Sequence, residues 1–322
     1  MTTSTEATVR RTKIGIVGAG SVGTSLAYAA MIRGTATDIA LYDLNTAKVE
    51  AEALDLSHGQ MFASDTRVEG SDDVAVLKDS DVILITAGAK QKPGQTRLDL
   101  AGANTEILKT LMPQLLEHAP NAICVLVTNP CDVLTVVAQK ITGLPYRQVL
   151  SSGTVLDTSR LRWMIANEAR VNTTSVHAYI IGEHGDSEFP VWSSASIGQV
   201  PLRDWEIDGR KPFTEQRLAE MTDQVVNAAY KVIEGKGATN YAIGLSGIRI
   251  AEAILRDLRS VLPVSSILDD FHGISGLALS VPSIVGRRGV EQPLAIPMGE
   301  HEEQQLRDSA QAMRKALASL GF

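Results

Sequence analysis

The chain has 322 residues, enough for about two domains of roughly 100–200 residues each, and this length excludes a peptide-sized or disulfide-stapled scaffold. Hydrophobic residues make up 44% and charged residues 21% of the sequence, a composition that is typical of a globular protein and excludes extensive disorder. The net charge of −7 and the aromatic content of 4% disfavour a nucleic-acid binder, which must neutralise phosphates and stack bases.

The N-terminal segment and the two cysteines indicate the cellular compartment. Residues 1–12 are predicted to form a flexible leader, and they lack the apolar core of a secretory signal. No run of 18 or more apolar residues predicts a membrane span. Cys124 and Cys131 lie in or beside apolar sequence without a CxxC pattern, as is typical of buried thiols in a reducing compartment. We therefore expect a cytoplasmic protein.

The first half of the chain alternates short β-branched segments with longer helical patterns, which is typical of a parallel sheet with crossover helices. Strands are predicted at 13–17, 39–43, 67–69, 82–86, 123–127 and near 149. Helices are predicted at 21–33, closed by Gly34; from a cap at Asn45 to 56; at 98–118, interrupted by Pro113; and at 131–140. Residues 88–96 are predicted to form a loop. These elements indicate a first domain over residues 13–151.

The second half of the chain has a different pattern. It predicts a helix at 155–169, strands within 175–181, long helices at 214–233 and 240–258, strands and turns at 260–296, and a closing helix at 300–320. We therefore expect a mixed α+β domain over residues 152–322.

A G-x-G-x-x-G sequence, Gly18-Ala19-Gly20-Ser21-Val22-Gly23, joins the first predicted strand to the first predicted helix. Here the first glycine turns the chain, the second admits a pyrophosphate to the backbone, and the third lets helix and strand pack closely. Asp43 ends the second strand about 20 residues further on, where a carboxylate binds a ribose diol and repels a 2′-phosphate. The sequence therefore predicts an α/β, doubly wound Rossmann domain whose cofactor is NAD.

His184 is the candidate proton donor and acceptor. It lies between glycines in Gly182-Glu183-His184-Gly185-Asp186, directly after an apolar strand, where a loop can present a side chain to a substrate. No HExxH-like spacing surrounds His177 or His184, so no metal site is predicted.

Five segments together resemble the L-lactate dehydrogenases of the lactate/malate dehydrogenase family, and the similarity extends from Lys13 to the final helix. The segments are Gly18-to-Gly23, Lys92-Pro93-Gly94-Gln95-Thr96-Arg97, Thr128-Asn129-Pro130, Leu156-Asp157-Thr158-Ser159-Arg160, and Gly182-Glu183-His184-Gly185-Asp186.

The resemblance implies an oxidoreductase that interconverts pyruvate and L-lactate with NAD. It makes His184 the proton shuttle, Asp157 the carboxylate that orients it, and Arg160 the clamp on the substrate carboxylate. It further implies Arg97 and Asn129 at the substrate carbonyl, Thr239 lining the substrate pocket, and Asn129, Ser152 and Ile243 at the cofactor.

Two other functions remain open at this point. Malate dehydrogenases of the family share the His/Asp pair and both arginines, and an NAD(H)-binding redox sensor would share the cofactor domain without turnover. Malate-type enzymes have an arginine where this chain has Gln91, and a second substrate carboxylate would be costly to bury beside a neutral side chain. Gln91 therefore favours pyruvate.

The resemblance is to the bacterial type that fructose 1,6-bisphosphate activates, in which an arginine and a histidine meet their symmetry mates across a two-fold interface. Those positions hold Arg162 and His177. The resemblance thus implies an allosteric homotetramer that serves glycolysis and fermentation, with this bisphosphate as its effector.

Overall fold

The computed structural model describes residues 11–89 and 97–322, with Arg97 described by its backbone only. Residues 1–10 of the predicted leader, and the part of the predicted loop that contains Gln91, therefore lie outside the described residues. None of the described helices is long and apolar enough to cross a bilayer.

Six parallel strands of the first half form the centre of the fold. In sheet order they are β3 (Arg67–Ser71), β2 (Asp38–Tyr42), β1 (Lys13–Val17), β4 (Val82–Ile85), β5 (Ile123–Leu126) and β6 (Val149–Ser151). The strand order reverses between β1 and β4, and ligands of such sheets bind at this switch point, outside the carboxyl ends of the strands. The predicted doubly wound Rossmann sheet is confirmed.

Both faces of the sheet are covered by helices of the first half. These are α1 (Ser21–Arg33), α2 (Thr46–His58), α3 (Arg97–His118) and α4 (Cys131–Thr142). Alternate residues of β4 bury against different cores: Val82 and Leu84 belong to one, and Ile83 and Ile85 to the other. This two-sided burial explains why β4 is apolar at every position.

Local chemistry sets the ends of the first helices. Gly34 ends α1 in the left-handed conformation, with φ 57°, which a glycine adopts at little cost. The side chain of Asn45 accepts a hydrogen bond of 3.1 Å from the Lys48 amide and caps α2, as predicted.

Helix α3 runs through Pro113, so the predicted interruption is wrong. A proline inside a helix removes one backbone hydrogen bond. Here Leu111, Met112 and Leu115, which surround the proline, are buried in the core. Their burial offsets the lost bond and keeps the helix continuous.

The second half begins with α5 (Val155–Ala169) and joins the same sheet. Strands β13 (Ser265–Ile267) and β14 (Ala278–Ser280) extend the sheet beyond β6, and Ser265 pairs antiparallel with Ser151. The other elements are β7 (Val176–His177), β8 (Ile180–Ile181), β9 (Phe189–Pro190), β10 (Ser196–Ile197), β11 (Val200–Pro201), α6 (Glu215–Val226), α7 (Ala228–Lys236), α8 (Tyr241–Leu255), β12 (Ser260–Leu262), β15 (Ser283–Gly286), β16 (Gly289–Pro293) and α9 (Glu300–Ser319).

The long helix predicted over 214–233 is two helices, α6 and α7, which meet at Asn227. The Asn227 side chain donates 2.9 Å hydrogen bonds to the backbone carbonyl and the carboxylate of Asp223. An asparagine that bonds a carbonyl four residues earlier competes with the helix ladder, which gives a local reason for the break.

Candidate active site

The predicted site residues converge on one cleft at the carboxyl ends of the parallel strands, with a volume of about 1840 Å³. Eleven of them line it: Gly18, Gly20, Ser21, Val22, Asp43, Asn129, Ser152, Arg160, His184, Thr239 and Ile243. Residues more than 200 positions apart in the sequence thus share one site, as the switch point of an α/β sheet leads one to expect.

The glycine-rich loop has the shape that a dinucleotide needs. Gly18 has φ 101° and donates a 2.7 Å hydrogen bond to the Tyr42 carbonyl, which ties the loop to β2. A Cβ on Gly23 would overlap the Gly18 carbonyl oxygen, whereas a Cβ on Gly20 would have no atom within 4 Å and would point into free space. Gly23 is therefore required by packing, and Gly20 leaves room for a pyrophosphate at the amino end of α1.

Asp43 lies directly after β2 beside this loop. Its Oδ2 accepts a 2.7 Å hydrogen bond from the Ala19 amide, and its Oδ1 accepts one of 3.0 Å from the Asn45 amide. These bonds fix the carboxylate at the edge of the cleft, and each oxygen keeps a lone pair for a ribose hydroxyl. Gly20 and Asp43 together fit NAD.

The close packing of α8 against α1 places Thr239 and Ile243 beside the glycine loop. A Cβ on Gly244 would lie 2.9 Å from the Ser25 carbonyl oxygen, so only glycine permits this approach. Asn240 Nδ2 donates a 2.9 Å hydrogen bond to Ser25 Oγ and joins the two helices at the cleft. The Thr239 hydroxyl is buried without a partner among the described residues and is available to a ligand.

His184, Asp157 and Arg160 form one charged cluster. Asp157 is 1% exposed in the first turn of α5; its Oδ1 accepts a hydrogen bond from Arg160 Nη1, and its Oδ2 lies 2.8 Å from His184 Nδ1. Positions 157 and 160 meet because they are three apart on a helix. His184, on the loop after β8, presents its other nitrogen as the one free for chemistry, since Nδ1 faces carboxylates.

The charges of this cluster stabilise the protonated imidazole. Burial is the largest single influence and acts to lower the pKa of His184, but the carboxylates of Asp157 and Glu188 together outweigh it, so the pKa is raised well above its ordinary value of 6.5. Burial acts to raise the pKa of Asp157, yet His184 and then Arg160 bring it below its ordinary value. The result is a proton donor held against an ionised carboxylate, as general acid catalysis on a carbonyl requires.

Two buried carboxylates near His184 were missed by the sequence analysis. Glu188 Oε2 lies 3.3 Å from His184 Nδ1, and Asp132 Oδ2 accepts a 2.7 Å hydrogen bond from the His184 amide. Asp132 follows the Asn129-Pro130 turn and Glu188 follows His184 by four residues, but in loop sequence neither spacing identifies a contact. The contacts of these two carboxylates with His184 are therefore visible only in the tertiary structure.

The two carboxylates of this cluster lie close together without needing a metal ion between them. One ligand atom from each of Asp157, His184 and Glu188 lies within 4.8 Å of the others. An imidazolium between two carboxylates balances the same charges by itself.

Asn129 lies at the turn after β5, where its side chain is exposed to the cleft. Its carbonyl accepts a 2.8 Å hydrogen bond from Asn104 Nδ2, and Asn104 Oδ1 accepts one of 2.7 Å from the Ala89 amide. Asn104 is 2% exposed on α3, so it fixes the Asn129 turn and the start of the segment that leads to Gln91. Ser152 is buried after β6 and donates its amide to the Leu126 carbonyl at 2.9 Å.

The two predicted effector residues, Arg162 and His177, do not line the cleft. Arg162 is half-buried on α5, where its Nε donates a 2.9 Å hydrogen bond to the Ala178 carbonyl and its guanidinium lies 4.8 Å from the centre of the Tyr179 ring. His177, the neighbour of Ala178, is exposed on β7. Gln91 and the side chain of Arg97 lie outside the described residues.

Comparison with known proteins gives the same picture over the whole chain. Residues 12–151 match the lactate/malate dehydrogenase NAD-binding domain, and residues 154–320 match the α/β C-terminal domain of that family. The chain is 51% identical to an L-lactate dehydrogenase of Bifidobacterium animalis subsp. lactis, with 98% of each protein covered. It is 47% identical to an L-lactate dehydrogenase of a Synechococcus strain, over 95% of this chain and 98% of that protein.

A solved structure agrees in fold. MGS-M5, a lactate dehydrogenase from a Medee basin deep-sea metagenome library, superposes with a TM-score of 0.93 at 37% identity, covering 98% of this chain and all of that one. The NAD-binding family match and the open space at Gly20 beside Asp43 agree on the cofactor, which is NAD. The chain therefore belongs to the lactate/malate dehydrogenase family.

Proposed function

We propose that the chain is an L-lactate dehydrogenase that interconverts pyruvate and L-lactate with NAD. The observation that carries this function is the His184–Asp157–Arg160 cluster, which opens onto the cleft that the glycine-rich loop also lines. When bound, NADH supplies the hydride that C2 of pyruvate accepts. Several relatives at 43–51% identity are named L-lactate dehydrogenases, which supports this choice within the family.

Each side chain of the cluster has a separate role in the proposed reaction. His184 gives a proton to the carbonyl oxygen during pyruvate reduction and takes it back during lactate oxidation. Asp157 orients the ring and stabilises its charged form, while Arg160 holds the substrate carboxylate through its planar guanidinium. We assign Arg97 and Asn129 to the substrate carbonyl, Thr239 to the substrate pocket, and Asn129, Ser152 and Ile243 to the cofactor.

The two halves of the chain supply different parts of the reaction. We assign cofactor binding to residues 13–151 and substrate chemistry to residues 152–322, with Asn129 contributed across the boundary. The two sets of residues line one cleft. The two free, buried cysteines support a reducing compartment, and we place the enzyme in the cytoplasm.

The direct test is NADH oxidation with pyruvate and, separately, with oxaloacetate. We expect a clear preference for pyruvate because Gln91 offers no charge to a second carboxylate. Gln91→Arg is expected to shift the preference towards oxaloacetate. A wild-type preference for oxaloacetate would instead make the chain a malate dehydrogenase, and no turnover with either would leave a redox sensor.

We also propose activation by fructose 1,6-bisphosphate, with assembly as a tetramer. Arg162 bonds the carbonyl of Ala178, the residue that follows His177, and this supports one cationic patch built from both residues. Two such patches facing each other across a two-fold axis repel, and an anion with two phosphates would relieve the repulsion.

A further inference from the structure

His184 Nδ1 faces a second carboxylate besides Asp157. Glu188 precedes β9, the strand that pairs antiparallel with β8, so the hairpin brings Glu188 back beside the loop that carries His184. Its Oε2 lies 3.3 Å from Nδ1, and its side chain is 3% exposed. Among the described residues, His184 Nδ1, Asp157 Oδ2 and Glu188 Oε2 make no well-aligned hydrogen bond, so the contact between them is mainly electrostatic.

Burial makes this position costly for a glutamate without a charged partner. A carboxylate that is removed from water must be paired or must take up a proton. Among the described residues, Glu188 forms its ion pair with the His184 imidazolium, whereas Arg160 contacts the other carboxylate, Asp157. Two carboxylates and two cations thus balance each other, and the balance fails when His184 loses its proton.

Other titratable groups around His184 have different contacts. Asp132, at the amino end of α4, binds the His184 amide and not the ring, and Cys131 beside it is fully buried with its pKa raised to about 12. In the loop itself, Glu183 accepts a 2.6 Å hydrogen bond from Ser187, and Asp186 is exposed. Among the described carboxylates, Asp157 and Glu188 are those placed against Nδ1.

We propose that Glu188 is a positioning residue, a second carboxylate that keeps the proton on His184 Nδ1 and stabilises the charged ring. Carboxylates on this side favour the Nδ1–H form of the neutral imidazole, so the other ring nitrogen exchanges the proton with substrate. When His184 gives up its proton, the buried carboxylates of Asp157 and Glu188 face each other without a cation between them. Burial raises the pKa of Glu188, which means that its negative charge is unfavourable without a cation. The unpaired charge therefore opposes the loss of the proton from His184. This inference rests on the proposed function and adds a determinant of its pH range.

The test is Glu188→Gln, which keeps the size and removes the charge. We expect the alkaline limit of kcat/KM for pyruvate to move about one pH unit lower, a roughly tenfold loss at high pH with little change at low pH. Lactate oxidation, which needs the neutral ring, should become active at correspondingly lower pH. Glu188→Asp should restore part of the shift because it retains a carboxylate.

A direct readout is the titration of the His184 ring by nuclear magnetic resonance in the protein without substrate. The chain has six histidines, and the His184 signals are those that vanish in His184→Gln. Glu188→Gln should lower the pH at which these signals titrate, and this measurement does not depend on turnover. Glu302→Gln is the matched control, since Glu302 is a buried glutamate that accepts hydrogen bonds from the Ser193 and Gly299 amides.

The outcomes separate cleanly. An unchanged titration of His184, or an equal loss of activity at every pH, would overturn the role of Glu188 and reduce it to packing. Survival of near-native turnover in His184→Gln would instead overturn the proposed function, whatever Glu188 does. A shift in Glu188→Gln that Glu302→Gln does not share supports the proposal.

Discussion

His184 depends on carboxylates that come from three separate parts of the chain. Asp157 from α5 and Glu188 from the β8–β9 hairpin face its ring, and Asp132 from α4 accepts its backbone amide. We assign the charge and the tautomer of the ring to the two side-chain contacts, and the position of the loop to the Asp132 contact. The protonation of this histidine therefore depends on its surroundings, and single substitutions can separate the contributions.

The first prediction concerns His184 itself. His184→Ala should lower kcat for pyruvate by about 10³-fold, because it removes a proton transfer that occurs in the transition state. The dissociation constant of NADH, measured by fluorescence titration, should hardly change. His301→Ala is the control, since His301 is exposed in the first turn of α9. Near-native turnover in His184→Ala would refute the assignment.

The second prediction concerns Asp132, whose pKa burial raises from 3.8 to about 6. At low pH the carboxyl is protonated in both states and has no effect on stability. Between pH 3.8 and about 6 it ionises only in the unfolded chain, so rising pH favours unfolding, and above about 6 the full cost is present.

Asp132→Asn removes this cost and keeps an acceptor for the His184 amide. Relative to the wild type, the variant should gain about 2 kcal/mol more unfolding free energy at pH 7 than at pH 4.5. Urea unfolding at both pH values and one protein concentration measures the difference. Equal effects at the two pH values would show that Asp132 does not titrate in this range.

At the scale of the element, two glycines at the amino end of α1 have different roles, one in packing and one in ligand binding. Gly23 and Gly20 belong to one motif, yet a side chain at Gly23 meets backbone and one at Gly20 meets free space. The helix has no side-chain cap at Gly20, so its first amide groups are available to a phosphate.

The third prediction follows from this contrast. Gly23→Ala should lower the unfolding free energy by about 3 kcal/mol, because the Gly18 backbone must move. Gly20→Ala should unfold at a near-native temperature and bind NADH at least about tenfold more weakly, because the methyl group enters the space for the pyrophosphate. Thermal unfolding and NADH titration measure the two effects. Gly102→Ala in α3 is the control, since its Cβ would meet only Leu320, at 3.8 Å.

At the scale of the whole molecule, the proposed effector site would connect the active site to assembly. The chain has a net charge of −7, so we expect an anionic effector to need local cations, which we assign to Arg162 and His177. Both residues lie close to the catalytic elements, Arg162 on the same helix as Asp157 and Arg160, and His177 one strand before the His184 loop. We therefore expect a ligand at these two residues to act on the catalytic groups through α5 and β7–β8.

The fourth prediction tests this connection. Fructose 1,6-bisphosphate should lower the pyruvate concentration at half-saturation and shift the protein towards a tetramer, as seen by sedimentation velocity. Arg162→Gln should abolish both effects, while Arg307→Gln, an exposed arginine on α9, should leave them intact. An absence of response at every protein concentration and at mildly acidic pH would reject the effector site.

Much of the molecule follows from local sequence. The apolar run of β4 predicts a central strand, Gly34 predicts the end of α1, and Asn45 predicts the cap of α2, since each depends on neighbours within a few residues. The wrong prediction for α3 also came from a local rule, which took no account of the tertiary contacts. Pro113 alone predicts a break, but the burial of Leu111, Met112 and Leu115 maintains α3.

The sequence by itself determined the α/β class, the nucleotide loop with Asp43, and the pair of Asp157 and Arg160, because helix and strand periodicities fix which near neighbours share a face. Only the tertiary structure decided which distant groups meet. Glu188 and Asp132 reach His184 because a hairpin and a helix end fold onto the same loop, a contact that no spacing in the sequence encodes. The glycine-flanked segment around His184 identifies it as the candidate proton donor, but its positive charge is stabilised by carboxylates that the fold brings to it.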